Sequence, residues 1–94
     1  MKRATAGTTE KHDVHVDILL GDPSRDGTNT VRVESPVKAL FGADQTVAVN
    51  SVLQEAGIRA AEVTLTDNHA LDFVIRARVR AAVAQLVHIG EVNS

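Results

Sequence analysis

A carboxylate, an amine and an imidazole stand side by side at Glu10-Lys11-His12, a short polar run free of bulky residues. Small residues (Ala4, Ala6, Gly7) lead into it. Beyond it Val14, Val16 and Ile18 alternate with His15, Asp17 and Leu19, the period of two that marks a strand with one buried face. Residues 4–20 are therefore expected to form a β-hairpin with Glu10-Lys11-His12 as its turn. The chemistry such a tip suits is presentation, because a rigid ladder holds it out from the core as a mount for a covalently attached arm.

Other reactive groups are less organised. The four histidines (His12, His15, His69, His88) invite a metal reading, but no paired carboxylate or thiolate spacing accompanies them, and His12 and His15 fall on opposite faces of a strand. Each is read as a surface histidine, and no metal site is expected. No cysteine is present, which excludes disulfides, thiolate metal sites and cysteine nucleophiles. No nucleophile elbow, phosphate-binding glycine loop or Ser/His/Asp arrangement appears, so no catalytic residues are assigned and an enzyme is not expected. Near the end of the chain Asp72 and Arg76 are spaced to pair along a helix, worth roughly 0.3–0.5 kcal/mol if exposed. Arg78 falls at the margin of an apolar stripe, where its stem can lie on apolar surface with its head in water. The alternative is that Arg76, Arg78 and Arg80 offer charge to a partner subunit or to phosphates.

Composition bounds what can position these groups. The 94 residues suit one domain, residues 1–94, and 44% of them are apolar, enough for a packed core. Phe41 and Phe73 are the only aromatic residues and the formal net charge is −2, so neither base stacking nor a basic footprint supports nucleic-acid binding. No apolar run follows Met1-Lys2-Arg3 and none is long enough for a membrane span; the cytoplasm is the expected location, with no membrane partner.

After the hairpin, residues 21–29 are a run of turn-formers read as a loop, with Ser24 an ordinary exposed residue in it. Thr30-Val31-Arg32-Val33-Glu34 alternates and is β-branched, a further strand. Ser35-Pro36 gives a helix-start signal. Val37, Leu40, Phe41, Ala48, Val52 and Ala56, widened by Val49 and Leu53, form the stripe of an amphipathic helix ending at Gly57, with Gly42 a point for a kink or break. Residues 61–66 are a strand with Val63 and Leu65 on one face, and Asp67 or Asn68 can cap the next helix. That helix is expected over residues 70–87, its stripe formed by Leu71, Val74, Ile75, Val79, Ala82, Val83 and Leu86, with a loose tail from Ile89 to Ser94. The order β-β-β-α-β-α predicts an α+β two-layer sandwich, a mostly antiparallel sheet of about four strands with two helices on one face.

Residues 67–80, DNHALDFVIRARVR, resemble the signature of the citrate lyase acyl carrier protein family, the γ subunit of that lyase; its relative in malonate decarboxylase is a more distant match. The ALD-x-x-[IL]RAR run over Ala70 to Arg78 is fairly specific. The likeness continues upstream through residues 35–67 and back to Ala6-Gly7-Thr8 and Asp13-Val14, about nine-tenths of the chain in the same order. The resemblance implies a small α+β carrier unrelated to the four-helix carriers of fatty-acid synthesis. Its partners would be an acyl transferase (α) and a lyase (β). A phosphoribosyl-dephospho-CoA arm would be joined by a phosphodiester to a serine in the hairpin turn. The acyl group rides on the arm's thiol, and the lyase splits the citryl carrier into oxaloacetate and acetyl carrier. A carrier of this kind acts as a tether that raises effective concentration.

The chain departs from that pattern where it matters chemically. Lys11 stands in the position of the family's attachment serine, between Glu10 and His12, with His12 where a small residue usually follows. An amine cannot form that phosphodiester. Four readings follow: a variant subunit that keeps the fold and the partners without the usual arm; an arm on Thr8 or Thr9; acylation of Lys11 itself; or a solvated Lys11 in a stand-alone α+β binding module.

Overall fold

The computed structural model describes residues 2–21 and 27–92, with side chains described as far as residue 87. Most of the expected loop at 21–29, Ser24 included, and the His88 side chain lie outside the described residues. The elements are β1 (Lys2–Ala6), β2 (Asp13–Leu20), β3 (Thr30–Glu34), α1 (Lys38–Glu55), β4 (Ala61–Asn68) and α2 (Asp72–Val92).

They form one four-stranded sheet in the order β1-β2-β4-β3. β1 with β2 and β2 with β4 are antiparallel, the latter in the register Asp13↔Asn68 through Leu20↔Ala61. β3 runs parallel to β4, which requires a crossover, and α1 supplies it. The architecture is the α+β sandwich that the patterning predicts. Alternation sends Val14, Val16, Ile18, Val33, Ala61, Val63 and Leu65 into the core. There they meet Ala48, Val49, Val52 and Leu53 of α1 and Ile75, Val79, Ala82, Val83 and Leu86 of α2. The opposite sheet face is polar: Arg3 forks onto Asp17 across the β1–β2 pair, at 3.0 and 2.7 Å, and holds that carboxyl below its usual range.

Both helices depart from expectation at their ends. Leu40 and Phe41 are not core: they are 78% and 50% exposed, and the buried stripe of α1 runs only from Gln45 to Leu53. The reason is length. An 18-residue helix spans about 27 Å, whereas the five-residue β3 beneath it spans about 16 Å, so the first turns overhang the sheet. Leu71 is likewise 62% exposed, because it precedes the helix: its carbonyl accepts the Val74 and Ile75 N–H groups. Gly42 does not break α1, which is continuous from Lys38 to Glu55. Gly57, at φ 69°, ends it with paired bonds, Ile58 N–H to the Leu53 carbonyl and Gly57 N–H to the Gln54 carbonyl. The expected loose tail is helical as far as Val92. Extending a formed helix adds a backbone bond per residue, and one interior glycine, Gly90, opposes that by only about 1 kcal/mol.

Candidate functional site

The strand ends gather the candidate site at one end of the sheet. β1 finishes at Ala6, β2 starts at Asp13, and Asp13 pairs with Asn68 at the finish of β4. Between them residues 7–12 form a connection wider than the three-residue turn expected from sequence. Gly7 opens it at φ 84°, where a Cβ would strike the Val14 carbonyl, so only glycine lets the two strands approach this closely. A β-turn then spans Glu10 to Asp13, closed by the Asp13 N–H on the Glu10 carbonyl at 3.0 Å. Lys11 and His12 occupy its two central positions, and His12 takes the left-handed conformation (φ 67°) usually left to glycine or asparagine. Glu10, Lys11 and His12 are all exposed.

Hydrogen bonds rather than burial fix this tip. Asp13 is the hub. Its carboxylate accepts the Thr8 N–H (3.1 Å), the Thr8 hydroxyl (2.8 Å) and the Val14 N–H (2.8 Å). Arg78 of α2 forks onto the same carboxylate, Nε to Oδ1 at 3.0 Å and Nη2 to Oδ2 at 3.1 Å. The Arg78 fork is the main reason that the Asp13 pKa falls to about 2; partial burial opposes it, and the Thr8 and Val14 donors add to it. The Thr8 hydroxyl also accepts the Glu10 N–H at 3.2 Å. From β4, Asn68 donates its side-chain amide to the Thr9 carbonyl (3.0 Å) and accepts the His12 N–H on its own carbonyl (2.7 Å). Lys11 thus rides on a turn tied to both β4 and α2.

A second hub lies beneath the helix starts. Asp67, 5% exposed, accepts the Ser35 hydroxyl (2.7 Å), the Gln45 side-chain amide (3.0 Å) and the Ala70 N–H (2.9 Å). It joins the β3–α1 and β4–α2 connections. Asp67 therefore braces the turn ahead of α2 instead of capping its first residue, and Asn68 turns to the hairpin.

The arginines divide. Arg76 pairs with Asp72 at 2.6 Å, as their spacing predicts, and Arg80 reaches Glu55 of α1 at 3.6 Å. Arg78 does not simply run its head into solvent from the core margin; it clamps the hairpin. Its position beside the stripe is legible in sequence, but the partner lies 65 residues away and no local signal points to it. Among the described residues, no group of three or more His, Cys, Asp or Glu side chains is placed to hold a metal ion. No helix among them is long and apolar enough to cross a membrane.

Residues 1–86 match the family model described as the acyl carrier protein, malonate decarboxylase delta subunit (MdcD). The citrate lyase acyl carrier protein of Albidiferax ferrireducens is 36% identical over 87 residues, 93% of this chain and 86% of that protein. That of Haemophilus influenzae is 42% identical over 81 residues, 86% and 80% of the two chains. The chain belongs to this acyl carrier protein family. A third member, the citrate lyase acyl carrier protein of Clostridium perfringens, is 34% identical over 90 residues, 96% and 86% of the two chains. As a member of the family, this chain places an exposed amine, that of Lys11, at its hairpin tip, while the nearby Thr8 hydroxyl is engaged on both sides by Asp13 and Glu10.

Proposed function

We propose that this chain is a carrier-type, non-catalytic subunit of a citrate-lyase-type complex in the cytoplasm, and that it presents its hairpin tip to partner lyase (β-like) and acyl transferase (α-like) subunits. The observation that carries this reading is the tip itself, an exposed turn held in one geometry from two directions by Asp13–Arg78 and Asn68.

The phosphoribosyl-dephospho-CoA arm that the family resemblance implies does not fit the residues present. Lys11 offers an amine where a phosphodiester needs a hydroxyl, the Thr8 hydroxyl is part of the brace, and the Thr9 hydroxyl sits two residues ahead of the attachment position. The chain is therefore a variant subunit that keeps the fold and the partners without the usual arm. Of the arginines assigned to partner charge, Arg76 and Arg80 keep that role. Arg78 serves the tip through Asp13.

Co-expression with the lyase and transferase subunits of its own organism tests this reading. The expected outcome is co-elution of the three chains, with the carrier at its unmodified intact mass. An arm-sized mass increment would return the conventional carrier role, and failure to co-elute would end the carrier reading in favour of a stand-alone binding module.

A further inference from the structure

We propose that the groove between the β3 edge and α1 binds an extended acidic peptide, which adds to the sheet as a further strand. The proposal goes beyond the carrier reading and does not depend on it.

The sheet has two edge strands, β1 and β3, and they are not alike. On β1 the Gln85 side chain of α2 donates to the Thr5 carbonyl at 2.8 Å. Among the described residues no side chain bonds the backbone of Thr30–Glu34, so the outward N–H and C=O groups of β3 are open to a pairing chain. Thr30, Val31, Arg32 and Val33 all line a groove of about 390 Å³ whose other wall is α1. Side chains on one face would contribute every second residue, so this unbroken run puts the backbone edge itself in the wall. Gly42 belongs to the α1 wall. It does not break the helix, and glycine is unfavourable inside one, so the helix itself gives no reason for it. The groove does: a Cβ at Gly42 would come within 3.0 Å of Lys38 Cγ, and the bare backbone leaves room for both the Lys38 stem and an incoming chain.

Charge selects the occupant. Arg32 and Lys38 line the groove and no acidic side chain does. Both are exposed and, among the described residues, neither has an ion-pair partner. Antiparallel pairing, the more stable kind, sets valines of the incoming strand beside Val31 and Val33 on the helix side and an aspartate opposite Arg32 on the open face. Glu34, next on that face, repels an acid and suits a threonine, which fixes the register; a second aspartate at the start of the strand is placed for Lys38. A second copy is a poorer occupant. Two β3 edges paired together would gather the cations of both grooves against a single pair of Glu34 carboxylates. β2 and β4 stand between the β3 edge and β1, so a bound strand leaves residues 7–12 uncovered.

The test titrates the full chain with the acetylated, amidated peptide Asp-Thr-Val-Asp-Val-Thr, read by backbone amide chemical shifts, with fold checked by circular dichroism. The expected result is saturable shifts confined to residues 30–34 and 38–46, absent with a peptide carrying lysine in place of both aspartates. Gly42→Leu, which fills the groove, should weaken binding by roughly ten-fold or more, as overpacking does. Arg32→Gln should weaken it about two- to five-fold, as loss of a cross-strand charge pair does, and keeps the test decisive should the glycine replacement disturb α1. No shift at millimolar peptide overturns the proposal. Equal binding of the lysine peptide, binding unmoved by both substitutions, or shifts at residues 7–12 instead also overturn it. Shifts at residues 30–34 that grow with protein concentration in the absence of peptide assign this edge to a second copy and overturn it as well. None of these outcomes bears on the co-elution that tests the carrier reading.

Discussion

The tip and the core directly behind it are both ordered, by opposite means. Val14, Val16 and Ile18 of β2 are fully buried among other apolar groups, whereas one residue before Val14 Asp13 gathers donors from Thr8, Val14 and Arg78 at the surface. Burial is non-directional and its strength scales with area, so it tolerates small shifts of its parts. A forked carboxylate–guanidinium contact fixes angle as well as distance, and losing one partner undoes it. A carrier-type domain has use for both, a core that sets stability and a tip whose position is set independently of it.

The largest expected effect belongs to the core. Leu53 is fully buried between α1 and the sheet, and Leu53→Ala should destabilise the whole domain by about 2–5 kcal/mol in urea unfolding. A loss below 1 kcal/mol would mean that the core does not dominate stability and would break the comparison.

Arg78→Gln should act differently. Removing the fork leaves Asp13 with only the Thr8 and Val14 donors, and because Arg78 is nearly half exposed the global loss should be about 1–2 kcal/mol. The sharper readout is local. Amides of residues 8–13 should exchange many-fold faster while those of β4 keep their protection, and equal changes in both would mean that the tip has no brace of its own.

Acid should reproduce that loosening in the parent. The Asp13 pKa is lowered from 3.8 to about 2, so the stabilisation of the tip is fully present above pH 4 and is lost as pH falls toward 2. Arg78→Gln removes the main cause of the depression, and the Asp13 titration, followed by carboxyl chemical shift, should move up toward 4. A titration unmoved by the substitution would assign the low pKa to Thr8 and Val14 instead.

What was legible in the sequence follows the same division. Periodicity reports burial, so the elements, their order and most of the core are readable: the alternation of Val14, Val16 and Ile18 and the stripe from Ile75 to Leu86 correspond to buried faces. Periodicity does not report where a helix outruns its sheet, which is why Leu40, Phe41 and Leu71 read as core and stand in solvent. The brace left no pattern. Asp13 and Arg78 meet only because β2 and α2 pack together, and Asn68 reaches Thr9 across 59 residues of sequence. Family resemblance marked Lys11 as the position of interest, but only the fold shows that its turn is held from two sides.

His12→Gly refines the picture of the tip. A non-glycine residue at φ 67° is held there against its preference, and glycine adopts that conformation freely. Since His12 contributes its N–H to Asn68 and glycine retains that group, relief of the left-handed backbone, about 1–2 kcal/mol, should outweigh glycine's extra freedom in the unfolded chain, about 0.4–1 kcal/mol, and raise stability by up to about 1 kcal/mol. A loss of stability in thermal melts would mean that the imidazole itself holds the turn.

The smallest expected effect is at Leu71, and its smallness is informative. Read as the first residue of the α2 stripe, Leu71→Ala would cost as much as a core truncation. At 62% exposure, with its backbone rather than its side chain starting the helix, it should change unfolding free energy by less than about 0.5 kcal/mol. The same side chain walls the cleft between the starts of the two helices, so the substitution should open that cleft further while leaving the melt unchanged. Leu71→Ala therefore separates the two places that apolar side chains take here, the core behind the sheet and the wall of an open cleft at its end. A loss above 2 kcal/mol would return Leu71 to the core.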